Sequence, residues 1–575
     1  MIQIFKNKIL QLISTVLEKK YEKNIELDKQ LLEYPPDKKM GHLAFPCFSL
    51  AKILKKSPVH IAQEMVQTLR SQKEYHSFFS KIENNKAYLN FFLNLEMLKK
   101  CIMEEYKIKD WKFASDSKNN DTVVLDYSSP NIAKPFSIAH LITTALGETL
   151  KRIYKYCGYK TVGINYLGDW GTQFGKMILA FQMYGNNELM EKRGVDYLVE
   201  LYVKFHKEEE NDPELTEKAR NVFLKLEKND KEIVQLWQYF KDISLRAYNK
   251  VYDLMGINFD YIEGESFYNE KMEAMIQSLR EKQLLRESEG ALVVDVDQDY
   301  KENIPPCLIK KSDGATLYTT RDITALFDRY KRFQFNKILY VVDLRQSLHF
   351  KQVFSVVTQY MTELSGKLFH VPFGTMTLCG EKLATRKGNL LPLKQVYDKV
   401  YAEALKITNE KNIADNTEHT AHQLAVGALN FSILKNKRVR DIDFDWKTVL
   451  SFEGETSVYL QYTIVRLRSI LNKLDDSIRE KLSLSCICVE ETEEILIELA
   501  KLEEIFESII EENEPFYLTR FLLELAKKIN LFYSQYRVLS ENETECLSRA
   551  SFCHCILKIM ETLLVLLNIP IPERL

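Results

Sequence analysis

The sequence has ten cysteines but no CxxC pair. Its two close sets, Cys486-Ile487-Cys488 and Cys553-His554-Cys555, lack a matching second half at zinc-ligand spacing. No zinc is therefore expected, and the cysteines read as reduced, mostly buried thiols. Long hydrophobic runs are also missing. Lys6 and Lys8 interrupt even the apolar N-terminal stretch, and nothing reaches the roughly 20 residues of a membrane span. No signal peptide is visible, so a cytoplasmic protein with no membrane partner is expected. Nor is there an excess of one charge: 79 Lys and Arg against 81 Asp and Glu leave a formal net charge of −2. Bulk charge thus gives no support to a dedicated nucleic-acid binder, although a local basic face would suffice for one. A P-loop is absent too. The glycine-dense stretch 168–176 has the wrong spacing, and Met177 stands where Ser or Thr would bind magnesium.

What is present is a chain of 575 residues, 45% hydrophobic and 28% charged, as a soluble globular protein of several domains should be. Residues 122–150 are the most informative. They read as a buried strand from Thr122 to Tyr127, a loop holding Pro130 and Pro135, and a helix that begins only after Pro135. A helix N-terminus after a strand offers unpaired N–H groups and a positive dipole end, which suits a phosphate. His140, one turn in, can donate to that phosphate. The glycines of 168–175 permit a tight turn close to substrate. Elsewhere the patterns predict a helix over 1–20, a second helical region over 41–70 and a strand over 87–95. The polar stretch 115–122 marks a domain boundary. Residues 185–300 are largely helical and heavily charged, like an insertion between two halves of a nucleotide fold. Strands at 315–318 and 338–342, each followed by helical sequence, resume a doubly wound sheet. From about 395 onward helices dominate, with heptad-like leucines over 494–575 predicting a bundle.

The segment SSPNIAKPFSIAH (128–140) resembles the HIGH region of arginyl-tRNA synthetases, which are class I synthetases. NYLGDWGTQFGK (165–176), LYTTRD (317–322), VVDLRQSLHF (341–350), VYLQYTIVRLRSIL (458–471) and LNIPIPERL (567–575) resemble the same family in the same order. The resemblance implies an α/β doubly wound (Rossmann-type) catalytic domain with an insertion, a small N-terminal α/β domain and an all-α C-terminal helical bundle. It places a tRNA-contacting domain at 1–115, the catalytic domain at 116–395 with its insertion at about 178–304, and a helical linker and anticodon-binding domain at 396–575. It implies an arginine–tRNA ligase that uses ATP with Mg2+ to form arginyl-adenylate and pyrophosphate. Arginine then passes to the 3′ end of tRNA. Members typically need tRNA bound before activation and are usually monomers.

The same resemblance assigns residues. His140 matches the second histidine of the HIGH motif, Ser137 replaces the first, and Ala139 replaces the glycine, where its methyl meets the adenine. Pro130 and Gly168 belong to the same ATP site. KLATRKGN (382–389) resembles the KMSKS segment. Lys382 matches its first lysine, Thr385 stands at the second, and Arg386 and Lys387 remain as cations. Lys134, just before the HIGH region, matches a lysine thought to compensate. The expected arginine contacts are Asp126, Asn131, Tyr318, Asp322 and Gln346. A guanidinium wants carboxylates in bidentate geometry, and Tyr318 and Asp322, four apart, share a face if helical. Tyr459, Tyr462, Arg466 and Arg537 are the expected tRNA contacts, with aromatics to stack unpaired bases and arginines for phosphate. Two alternatives remain. One is a class I synthetase for another amino acid, which the acidic pocket disfavours. The other is a non-catalytic tRNA-binding paralogue, motivated by Ser137, Ala139, Ile142 and Thr385.

Overall fold

The structure, a computed structural model, describes residues 1–72, 75–109, 120–296, 304–378, 381–382, 392–410, 416–445 and 448–575, without the side chains of 105–109, 378 and 381–382. Two compact units divide the chain. One comprises Met1–Phe113, Thr463–Glu512 and Arg520–Leu563, and the other Ala114–Tyr462, Asn513–Thr519 and Leu564–Leu575.

Five parallel strands organise the larger unit. In spatial order they are Leu368–His370, Lys337–Tyr340, Thr122–Asp126, Lys160–Leu167 and Tyr261–Gly264. Val123-Val124-Leu125 and Ile338-Leu339 are fully buried, as strands covered on both faces must be. The chain enters at the middle strand, winds to one edge, then returns and winds to the other. This is the doubly wound order, and its reversal lies between Thr122–Asp126 and Lys337–Tyr340. Asp126 is in register with Tyr340 there, so the two end side by side on the carboxyl edge, where such sheets bind ligands. Helices Ile138–Tyr156, Tyr318–Phe333 and Ser347–Tyr360 follow strands and cover the sheet, while Thr172–Tyr184 packs against the helices Val195–Glu209 and Glu214–Glu227. Ile323, Leu326, Val353 and Val356 pack with Val124, Ile164 and Ile338 in one core.

Three local expectations change. Residues 315–318 are not a strand. The strand is Cys307–Lys310, followed by a turn at Gly314, φ +84°, and Tyr318 opens a helix in which Thr320 Oγ1 accepts the Leu317 N–H at 3.3 Å. Residues 41–70 are not wholly helical. Leu43–Pro46 pairs antiparallel with Tyr88–Leu93, the strand expected at 87–95, before helices Phe48–Leu54 and Pro58–Arg70. Pairing with a distant partner overrides local preference there. Within 178–304, Tyr261–Gly264 is the edge strand of the main sheet itself, paired with Lys160–Leu167. The helices before it are therefore a long crossover connection between two neighbouring strands.

The smaller unit is not serial. The N-terminal segment meets acidic residues of helices Val489–Ala500 and Leu502–Glu512. Lys6 Nζ lies 2.7 Å from Glu504, Tyr34 Oη donates to Glu504 at 2.7 Å, and His42 lies 3.0 Å from Glu493. Helices Phe516–Gln535 and Glu543–Leu566 supply the leucine-rich remainder. Among the described residues no helix is long and apolar enough to cross a membrane.

Candidate active site

The loop between Asp126 and Ile138 holds three non-glycine residues in left-handed geometry: Ser128 (φ +73°), Ser129 (+47°) and Ala133 (+60°). Such backbone costs about 1–3 kcal/mol per residue and persists only when its surroundings impose it. Each of the three N–H groups is taken by a side chain from another element. Ser128 N–H donates to Thr143 Oγ1 at 3.1 Å, Ser129 N–H to Asn165 Oδ1 at 3.2 Å, and Ala133 N–H to Ser244 Oγ at 2.9 Å. The single Tyr248 hydroxyl proton is shared between the carbonyls of Asn131 and Lys134, at 2.6 and 2.7 Å. Tyr252 Oη reaches Ser128 Oγ and Asn165 Nδ2, both at 2.9 Å.

Gly168 lies directly against this loop. Its N–H donates to the carbonyl of buried Pro130 at 3.2 Å, and a Cβ on Gly168 would fall 1.9 Å from Asn131 Oδ1. The close approach at this turn is made to the side chain of Asn131.

Ser137 N-caps the following helix. Its backbone N–H lies 3.0 Å from His140 Nδ1, and its hydroxyl 3.1 Å from the same nitrogen. A backbone N–H can only donate, so Nδ1 accepts and the ring proton sits on Nε2. Burial, reinforced by the Lys134 charge, pushes the His140 pKa down to about 4, so the imidazole is neutral at pH 7. Ser137 is buried and faces His140, whereas Ala139 is exposed on the opening turn. Lys134 is half-buried, which lowers its pKa, and no carboxylate pairs with it among the described residues. The backbone of Pro392 bridges Ser137, and the Leu393 N–H donates to the Phe136 carbonyl at 2.8 Å. Lys382 lies in the short strand Glu381–Lys382, paired with Met376–Leu378. Thr385, Arg386 and Lys387 lie outside the described residues.

Across the switch point, the Tyr318 helix presents a second cluster. Asp322 Oδ2 lies 2.6 Å from His349 Nε2, and the Tyr318 ring centroid lies 4.9 Å from that of His349. Tyr318 is 56% exposed, an open aromatic face beside a half-buried carboxylate. Gln346 ends the turn Leu344–Gln346 and is exposed.

Asp126, expected to face the amino acid, is buried instead. Arg329 Nη1 donates to its Oδ2 at 2.7 Å and Ser129 Oγ to its Oδ1 at 2.9 Å, so both oxygens are engaged within the protein. Arg329 is fully buried. It also reaches Tyr340 Oη at 3.1 Å and lies 4.9 Å from the Tyr166 ring. Half-buried Glu265 follows the edge strand. Burial first, then the Asp322 charge, push its pKa up to about 8, against the pull of Arg321.

Sequence reasoning missed His349, Arg329, Glu265 and the helix Lys231–Met255 that supplies Ser244, Tyr248 and Tyr252. Two of these carried a signal: His349 is one helical turn past Gln346, and Arg329 is two turns past Asp322. The expected tRNA contacts divide between the units. Tyr459 and Tyr462 belong to the larger, and Arg466 and Arg537 to the smaller. Tyr462, Arg466 and Arg537 are exposed and Tyr459 is half-buried. Arg466 lies over the Tyr533 ring at 5.2 Å.

Comparison with known proteins agrees with this layout. Residues 99–446 match the class I (R) tRNA synthetase catalytic domain, 460–575 the DALR anticodon-binding domain, and 7–93 the arginyl-tRNA synthetase N-terminal domain. An arginine–tRNA ligase from Clostridium botulinum is 41% identical over 567 residues, covering 98% of this chain and 99% of the relative. One from Alkaliphilus metalliredigens is 37% identical over 576 residues, covering 99% and 100%. The crystal structure of the Plasmodium falciparum arginyl-tRNA synthetase superposes with a TM-score of 0.82 at 22% identity, and the Thermus thermophilus structure with 0.79 at 25%, each covering 99% of both chains. Agreement over the full length, catalytic segment included, does not favour the non-catalytic alternative. The chain belongs to the arginyl-tRNA synthetases, a family of class I aminoacyl-tRNA synthetases.

Proposed function

We propose that the carboxyl edge of the five-stranded sheet is where this arginine–tRNA ligase joins arginine to ATP, with ATP on the His140 side and arginine on the Asp322 side. The arginine carboxylate attacks the α-phosphorus. A bond from carboxylate oxygen to phosphorus forms, the bond to the bridging oxygen breaks, and pyrophosphate leaves with the electron pair. The step needs no protein nucleophile, only positioning and charge stabilisation. His140 donates its Nε2 proton as a hydrogen bond to a phosphate oxygen, and its neutrality leaves the cationic work to Lys134. Burial makes the Lys134 charge costly until a polyphosphate arrives, so it answers the charge of ATP strongly. Lys382, Arg386 and Lys387 complete the cations around the leaving group. Ser137 acts through His140, and Pro130, Ala139 and Gly168 shape the adenine side.

Asp322 and the Tyr318 hydroxyl accept from the guanidinium, with Asn131 and Gln346 on the backbone end of the amino acid. Asp126 holds the loop through Arg329 and Ser129. The adenylate carbonyl is then attacked by a hydroxyl at the 3′ end of tRNA, releasing AMP. Tyr459, Tyr462, Arg466 and Arg537 contact that tRNA. Mg2+ enters with the ATP phosphates, since it keeps most of its water and seldom needs an all-protein cage. We take the protein to be a cytoplasmic monomer.

The observation that carries this reading is the juxtaposition at the switch point, with His140 at a helix N-terminus on one side and the Asp322–His349–Tyr318 cluster on the other. The test is ATP–pyrophosphate exchange on the purified protein, with and without tRNA, offering arginine, lysine or glutamine. Exchange with arginine alone, and only with tRNA present, is expected. Bound tRNA without exchange under any condition would return the non-catalytic alternative.

A further inference from the structure

Helix Lys231–Met255 lies in the part of the chain that looks least like an active site, yet one stripe of it touches both substrate-facing loops. Trp237, Lys241, Ser244, Tyr248 and Tyr252 follow one another at steps of four, three, four and four, so they line a single face. Trp237 Nε1 donates to the Asp169 carbonyl at 2.8 Å, and Lys241 Nζ lies 2.7 Å from Asp169 Oδ2. That fixes the turn whose neighbouring Gly168 lies against Asn131. Ser244 Oγ takes the N–H of left-handed Ala133, and Tyr248 Oη ties the carbonyls of Asn131 and Lys134. Tyr252 reaches Ser128 and Asn165, which hold the other strained end of the same loop.

We propose that this helix is the positioning element of the active site, and that the Ser244 and Tyr248 hydroxyls set the distance between the arginine-facing Asn131 and the phosphate-facing Lys134. The inference rests on the roles given to Asn131 and Lys134 above. The physical reason is strain. A loop with left-handed Ser128, Ser129 and Ala133 relaxes toward ordinary backbone when its clamps are removed. Relaxation swings Asn131 and Lys134 apart without unfolding the sheet. In-line attack is sensitive to such a shift, because a displacement of about 1 Å costs up to about 100-fold in rate. Neither hydroxyl touches a substrate. Both act through the loop backbone.

The test measures exchange kinetics and melting temperature for Tyr248→Phe, Ser244→Ala and their combination, with Tyr239→Phe as the control. Tyr239 is on the same helix, but its hydroxyl donates to Glu191 at 2.7 Å, away from the loop. We expect kcat to fall about tenfold or more in Tyr248→Phe and in Ser244→Ala, with a smaller change in KM for arginine. The combined variant should lose much less than the product of the two, since both clamp one loop. Tyr239→Phe should keep the parent kcat. The proposal is overturned if both clamp variants keep kcat within about twofold while only the melting temperature drops. It is equally overturned if the losses multiply independently, or if Tyr239→Phe loses as much. Should Tyr248→Phe not fold, Ser244→Ala decides alone. A parent protein without arginine-dependent exchange would overturn the proposed active site instead, a result distinct from any of these.

Discussion

At the scale of single residues, the proposed guanidinium contact at Asp322 is the strongest handle on specificity. Replacing Asp322 by Asn leaves a guanidinium facing a neutral amide and leaves His349 without its carboxylate. The cost is roughly 2–5 kcal/mol, a fall in kcat/KM for arginine of about 30-fold to several thousand-fold. Exchange assays with varied arginine and fixed ATP check this, and an unchanged kcat/KM would remove Asp322 from the pocket. Glu265 gives a second expectation. Its folded pKa of about 8 lies above the ordinary value of 4.5, so its protonation stabilises the fold fully below about pH 4.5 and that contribution is lost as pH rises through 8. Thermal melts of the free protein should therefore decline between about pH 4.5 and 8, and Glu265→Gln should flatten that slope. A cation in the pocket favours the carboxylate, so arginine affinity should rise over the same window. An equal slope in parent and variant would refute the assignment. That Asp322 and Tyr318 share a helix face was legible because four-residue spacing converts directly into one face of a helix; their place beside arginine rests on the resemblance of LYTTRD to the family. The Asp126–Arg329 pair was not legible, because its partners are separated by 203 residues and meet only once the sheet has formed.

At the scale of elements, the turn at Gly168 and the loop it touches stand or fall together. Gly168→Ala places a methyl 1.9 Å from Asn131 Oδ1, so Asn131 must leave its position. We expect KM for arginine to rise about tenfold, the scale of one lost hydrogen bond to a charged group, with the far-ultraviolet circular dichroism unchanged. An unaltered KM would show that Asn131 has no part in binding. The start of the His140 helix was legible because Pro135 restricts the residue before it and Ser137 is a good N-cap. The strand at 307–310 was displaced to 315–318 in the sequence reading, because Ala315 to Tyr318 carry as much strand preference as Cys307 to Lys310. Only the turn at Gly314 decides between them. Helix Lys231–Met255 was legible as a helix and not as part of the site. Its aromatic stripe has the spacing of an ordinary core face, and nothing local says that its hydroxyls end on a strained backbone.

At the scale of the whole molecule, the doubly wound sheet was legible from alternating apolar runs and helices, while the make-up of the smaller unit was not. Glu504 is the centre of that joining: it accepts from Lys6, Tyr34 and Gln3 at 2.7, 2.7 and 3.1 Å. Glu504→Ala should destabilise the unit by about 1.5–3 kcal/mol, read as an earlier transition in urea unfolding of the full chain. No shift would mean these pairs only decorate the surface. The same joining has a consequence during synthesis. Gln3 and His42 leave the ribosome 501 and 451 residues ahead of Glu504 and Glu493. At about 5–20 residues per second, the opening segment waits roughly 20–100 s for its partners. A segment made long before its partners is thus among the last to be secured, and through that interval its safekeeping falls to whatever attends the nascent chain.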